Sequence, residues 1–93
     1  MESGIELMAR ERLEQKEKHG FTDAHDDAYF NADGELEAAA LFVLTNGVTP
    51  YPTLWDPRWR EKLAGKDNIE KLVVAGALLA AEIDRLQRKS SGS

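Results

Sequence analysis

The densest chemistry in the chain lies in one stretch, GFTDAHDDAYFNADG at residues 20–34. Asp23, Asp26, Asp27 and Asp33 stand there with His25, and no base accompanies them. Carboxylate oxygens are hard ligands suited to magnesium, manganese or calcium, and the imidazole adds one nitrogen. Spacing excludes an EF-hand. With Gly34 at loop position six, Tyr29 falls at position one and Ala40 at position twelve, where carboxylates are required. The same aspartates can cap helix ends and turns, which is the leading reading, so no metal or cofactor is assigned. His25, Asp26 and Asp27 remain candidates for ligand contact beside that role. Phe21, Tyr29 and Phe30 are interleaved with the acids, so the connection is expected to pack onto the body.

Further polar groups recur at helical spacing. Glu11, Arg12 and Gln15 lie one turn apart, with Arg12 on a stripe that begins Ile5, Met8, Ala9. An arginine there closes a buried ion pair or meets an anion such as a nucleotide phosphate. Glu35 and Glu37 open a second helical pattern, where carboxylates favour the positive end of the helix dipole. Glu35 faces closer to the apolar stripe and would need an internal partner, for which Arg12 or Arg85 could serve. Glu82 and Arg85 stand at i and i+3 beyond a long apolar run, a spacing that allows a direct pair. Tyr51, Pro52, Trp55 and Trp59 read first as a core plug and second as a platform for a base, with Arg58 and Arg60 as the adjacent cations. No Walker loop, GxGxxG, GxSxG or HExxH occurs, so no catalytic residue is assigned.

Three main helices must position these groups. The first is predicted from about Ile5 to Lys18, with a capping box of Ser3 and Glu6, and Gly20 as its stop. The second runs from about Asp33 to Thr45, with Asp33 a candidate cap and Asn46-Gly47 the stop. Its apolar set is Leu36, Ala39, Ala40, Val43 and Leu44. Pro50, Pro52 and Pro57 forbid a long helix next, although Pro57 suits the first turn of a short one over residues 57–64. The third main helix, capped by Asp67 or Asn68, runs from about Ile69 to Arg88. Residues 72–81 carry no charged or polar side chain, so this helix is buried, and a second face holding Ala75, Leu78, Glu82 and Arg85 must also be covered. Residues 90–93 read as a flexible Ser/Gly tail, which leaves a single helical domain over residues 1–89.

Composition agrees with that architecture. The 93 residues are 42% hydrophobic and 31% charged, too apolar for a disordered chain and too polar for a membrane protein. The absence of cysteine excludes disulfides, Cys-ligated zinc and thiol chemistry. A net charge of −5 argues against polynucleotide binding. Residues 1–46 carry eleven acids and four bases, and residues 47–93 carry six and eight, an asymmetry that lets the chain close on itself or pair head to tail. No basic-then-apolar leader opens the chain, so the cytoplasm is the expected compartment.

The ordered motifs Glu11-Arg12-x-x-Gln15, Lys18-His19-Gly20-Phe21-Thr22-x-x-His25-Asp26-Asp27 and Gly34-Glu35-Leu36-x-x-Ala39-Ala40 resemble a small helical protein family of tailed phages and prophages. The Trp/Pro segment and Leu72-x-x-Ala75-Gly76-Ala77-Leu78-x-x-Ala81-Glu82-Ile83-x-Arg85-Leu86 extend the resemblance over residues 5–88. A second resemblance is to the all-α, MazG-like nucleotide pyrophosphatases, which begin with an ERxxQ helix. Their magnesium site takes Glu-Glu-x-x-Glu on one helix and Glu-x-x-Asp on another. Here Glu35 and Glu37 are two apart and cannot share a face, and Glu82-x-Asp84 is also out of spacing. A relative of that family would have lost the site or rebuilt it from Asp26 and Asp27.

The expected protein is therefore all-α, three to four helices with two ordered loops, and homo-oligomeric. The resemblance to phage proteins implies no particular activity. By analogy with compact helical phage oligomers that sequester host immune signals, the size, phage-like motifs and Arg/aromatic inventory lead to the expectation of an accessory protein that binds a nucleotide-like small molecule without turnover in the host cytoplasm. A degenerate metal-dependent hydrolase and a protein-binding inhibitor of a host protein are the alternatives. The ligand-contacting residues are expected to be Arg12, Gln15, His25, Asp26, Asp27, Glu35, Trp55 and Arg85. Arg12, His25, Glu35 and Arg85 are expected to converge, because a buried charge left alone costs several kcal/mol.

Overall fold

The computed structural model describes residues 1–18, 34–52 and 55–91. The acidic connection, with His25, Asp26, Asp27 and the candidate cap Asp33, lies outside the described residues, as does the proposed stop at Gly20. What is described is all-α, with no strand among those residues. Helix α1 spans Gly4–Lys18 and α2 spans Glu35–Leu44. A 3-10 turn at Pro57–Trp59 leads into the short α3, Arg60–Leu63, and α4 spans Asn68–Ser91.

Local rules account for most of the ends. At α1 the Ser3 hydroxyl accepts from the Glu6 amide at 3.2 Å, and Glu6 accepts from the Ser3 amide at 3.0 Å. That reciprocal pair satisfies two amides the helix leaves open, and it holds the Glu6 carboxyl below its ordinary pKa. Asp67 caps α4 by accepting from the Glu70 amide at 2.8 Å. Asp56 caps the 3-10 turn through the Arg58 amide, with Pro57 at the first position, where its missing N–H costs nothing. Helix α2 differs: the residue before it is Gly34, which has no side chain to cap with. Helix α4 continues through Ser91, three residues past the expected end and into the Ser-rich segment.

The end of α2 is a Schellman turn. The Gly47 amide donates to the Phe42 carbonyl at 2.9 Å and the Asn46 amide to Val43 at 3.2 Å, with both residues left-handed (φ 86° at Gly47 and 53° at Asn46). A Cβ on Gly47 would also sit 3.4 Å from the Phe42 ring. Gly47→Ala should therefore cost about 1 kcal/mol and lower Tm by about 4–8 °C in a thermal melt, with helix content unchanged.

The core forms where α2 and α1 pack on α4. Leu36, Ala39, Ala40 and Val43 of α2 are buried in one cluster with Val74, Ala75, Leu78 and Ala81 of α4, and Phe42 and Ala77 are also buried. Alanines on both faces let the helices close on the larger Leu36, Leu78 and Val43. Phe42, outside the expected stripe, is buried because Tyr51 packs edge-on at 5.3 Å from it and Arg60 lies over its ring at 5.9 Å. Leu44, expected inside, is only partly buried. Edge-to-face contacts continue from Tyr51 to Trp55 (6.4 Å) and from Trp55 to Trp59 (6.0 Å). The Tyr51 hydroxyl donates to the Asp56 carbonyl, which ties the aromatic series to the start of the 3-10 turn.

Two expectations about faces are corrected. In α1 the leading apolar residues Ile5 and Ala9 are exposed, while Arg12 and Gln15 are buried. Turned inward, Arg12 lies 3.9 Å from Asp84 of α4 and Gln15 Nε2 donates to Glu11, so part of this polar side is paired. In α4, Ala75, Leu78, Glu82 and Arg85 belong to the core face. The uncovered face is the opposite one, where Ile69, Leu72, Leu79, Ile83 and Leu86 are exposed. A helix apolar all round offers two eligible faces, and packing chose between them. Gly76 lies between these exposed positions, and a Cβ there would stand 2.7 Å from the Met8 sulfur, so α1 approaches α4 closely at that point.

Candidate functional site

A cavity of about 440 Å³ opens between α1, the Trp55–Leu63 region and the first half of α4. Its α1 wall carries Leu7, Arg10, Glu11, Glu14 and Gln15. These positions share one helical face at i, i+4, i+7 and i+8, with Arg10 beside them. The facing wall is aromatic, from Trp55 and Trp59, and Lys62 stands one turn after Trp59. Val73, Val74 and Leu78 of α4 close it with apolar surface, and Lys66 and Glu70 stand near the start of that helix. The site thus combines a flat apolar side with separate cationic and acceptor groups.

Ion pairs organise the charges. Arg10 pairs with Glu2 at 2.5 Å and Lys66 with Glu70 at 3.7 Å. Gln15 Nε2 donates to Glu11 Oε2 at 3.3 Å. Its Oε1 is buried with no hydrogen-bond partner. Among the described residues, no three of His, Asp or Glu stand close enough together to hold a metal ion.

The eight residues singled out from the sequence divide into groups. Gln15 and Trp55 meet in the cavity wall, both nearly inaccessible to solvent. Arg12 and Arg85 are buried but do not line the cavity. Arg85 makes a two-pronged bond to Glu82, Nε to Oε1 at 2.5 Å and Nη2 to Oε2 at 3.2 Å, and both side chains are enclosed. The Arg12 guanidinium lies 3.9 Å from the half-exposed Asp84 carboxylate. Burial of these arginines beside acids on α4 is the ion-pairing their positions on the helical stripes imply. Glu35 is half-buried at the start of α2. His25, Asp26 and Asp27 lie outside the described residues.

Arg58 and Arg60 do not serve the aromatic wall as expected. Arg58 folds back on Asp56 with Nη2–Oδ2 at 2.7 Å, which holds the Asp56 carboxyl below its ordinary pKa, and Arg60 covers Phe42 instead. The cations at the cavity are Arg10, Lys62 and Lys66, which sequence reasoning passed over. The helical spacing of Leu7, Glu11, Glu14 and Gln15 was a usable signal for the α1 wall. No comparable signal exists for Lys62 and Lys66, whose approach depends on how the chain turns at Gly65.

Among the described residues, no helix is long and apolar enough to cross a membrane. No protein-family model, no curated protein and no solved structure matches this chain.

Proposed function

We propose that this chain is a phage-type accessory protein that binds a nucleotide-derived small molecule in the α1–Trp–α4 cavity without turning it over, sequestering a host-defence signal. The cavity carries the reading. Its volume falls in the range of small-molecule sites, about 300–1,000 Å³. An aromatic wall of Trp55 and Trp59 suits a flat base, and Lys62 suits a phosphate, for which Arg10 and Lys66 would have to exchange Glu2 and Glu70. Two of its carboxylates, Glu11 and Glu70, are engaged with Gln15 and Lys66, which fits binding better than acid–base work. The motifs that resemble phage proteins supply the biological setting.

Association of copies belongs to the same proposal. The exposed Ile69 and Leu72 and, beyond the point where Met8 of α1 covers Gly76, Leu79, Ile83 and Leu86 recur at spacings of three, four or seven residues. That is the spacing by which one helix seats on another.

Native mass spectrometry of freshly purified protein, with the denatured supernatant run alongside, tests the binding. An intact nucleotide-derived compound should be released. The four common ribonucleoside monophosphates should raise Tm to different extents. Lys62→Glu should weaken the best of them about tenfold, because an exposed cation becomes an anion at the phosphate end while the core is untouched. A parent protein that releases nothing and shows no shift with any nucleotide rejects the reading.

A further inference from the structure

Helix α1 buries none of its apolar side chains. Ile5 is 81% and Leu13 53% exposed, Met8 and Ala9 are exposed as well, and Leu7 is half-buried. The residues this helix does bury are Arg12 and Gln15. A 15-residue helix is marginal in water on its own hydrogen bonds and takes most of its stability from packing an apolar face. In α1 that face is turned outward.

The cavity fixes where the outward face lies. Leu7, Glu11 and Glu14 of α1 and Val73 and Val74 of α4 line it, so it occupies one side of the α1–α4 pair. At about 100° per residue, Ile5, Ala9 and Leu13 fall on the opposite side of α1 from those three positions. Leu72, Leu79, Ile83 and Leu86 fall on the opposite side of α4 from Val73 and Val74, and they too are exposed. Met8 stands against Gly76, where a Cβ would lie 2.7 Å from its sulfur, and so joins the two rows into one surface. Asn68, Leu72, Gly76, Leu79, Ile83 and Leu86 follow one another along that side of α4 without a charged residue.

We infer that a second copy of this chain covers this side of the α1–α4 pair by two-fold pairing, and thereby holds the α1 wall of the cavity in place. The pairing rests on the association already proposed for the exposed stripe of α4 and extends it to α1. Size favours a protein partner. The exposed parts of Ile5, Met8, Leu13, Leu72, Leu79, Ile83 and Leu86 come to on the order of 700 Å², close to the ~800 Å² each partner gives to a standard interface. Chemistry favours a second copy. In a two-fold pair a surface meets itself, so any charge on it would face its like, and this row of α4 carries none.

Native mass spectrometry with amide hydrogen exchange on the full chain tests this. The parent should be a dimer. On dilution to monomer its α1 amides should exchange about tenfold or more faster, while those of α2 keep their protection. Leu13→Glu should give the monomer mass and the fast α1 exchange at every concentration, although Leu13 belongs to neither the core cluster nor the cavity wall. If that variant does not fold, the dilution series on the parent decides alone. A dimer that Ile83→Glu dissociates and a folded Leu13→Glu does not overturns the part given to α1 and leaves the association through α4. Exchange of α1 that is the same in dimer and monomer overturns the bracing of the cavity wall. A parent that is monomeric at every concentration overturns the pairing and the association together, and leaves ligand binding in the cavity to its own test.

Discussion

Leu78→Glu is expected to abolish cooperative folding. Leu78 is 1% exposed and sits in the cluster that α4 shares with α2. Removing its side chain forfeits about 2–5 kcal/mol of packing. Placing a carboxyl group there adds a further polar-burial cost of about 2–7 kcal/mol. The sum is comparable with the whole stability of a domain this size, about 5–15 kcal/mol. Circular dichroism should show low helix content without a thermal transition. Ile83→Glu, five residues further along α4 but 56% exposed, is the contrasting case. It should keep the parent's melt and lower the native mass to that of a monomer, because it places a charge in the exposed apolar stripe. A folded Leu78→Glu variant would show that the core does not lie where the burial of Leu36, Val43 and Leu78 puts it.

The second large effect concerns the enclosed pair. Glu82→Ala removes a carboxylate that holds Arg85 by two hydrogen bonds, at 4% and 8% residue exposure. Breaking one half of a buried pair leaves a desolvated charge behind, at a cost of about 3–5 kcal/mol. For a chain of this length that is a fall in Tm of about 15 °C or more. The double variant Glu82→Leu/Arg85→Leu should recover most of that loss, since neither charge then remains to be desolvated. Urea unfolding with an unchanged slope and a shifted midpoint checks both. If the single variant melts with the parent, Glu82 is not what holds Arg85 in place.

Helix ends were legible because they obey local rules. Ser3 and Glu6, Asp67, Pro57 and Asn46-Gly47 each act on amides or carbonyls within a few residues of themselves, so identity and spacing suffice to place them. The buried Arg12 and the Glu82–Arg85 pair were legible for a related reason. A charged group on an apolar stripe is forced to find a partner, and i, i+3 spacing supplies one. Gln15 was legible as a polar residue one turn from Glu11, and Trp55 as a large ring in a segment that proline keeps from being a long helix.

The sequence by itself thus determined that the chain is helical, where most of its helices begin and end, and which polar residues are drawn inside. Tertiary structure alone decided which side of α4 faces the core, because Ala75 and Leu78 on one side and Leu79 and Ile83 on the other are equally apolar. It also decided that α1 turns Arg12 and Gln15 inward and leaves Ile5 exposed. The cavity cations follow from the same cause. Arg10, Lys62 and Lys66 come from three separate segments. Periodicity describes how residues are arranged around one helix axis and carries no information about the angle at which a neighbour crosses it. That angle is set by side chains far apart in the chain, here by alanines that let α2 and α4 close and by Gly76 that admits Met8.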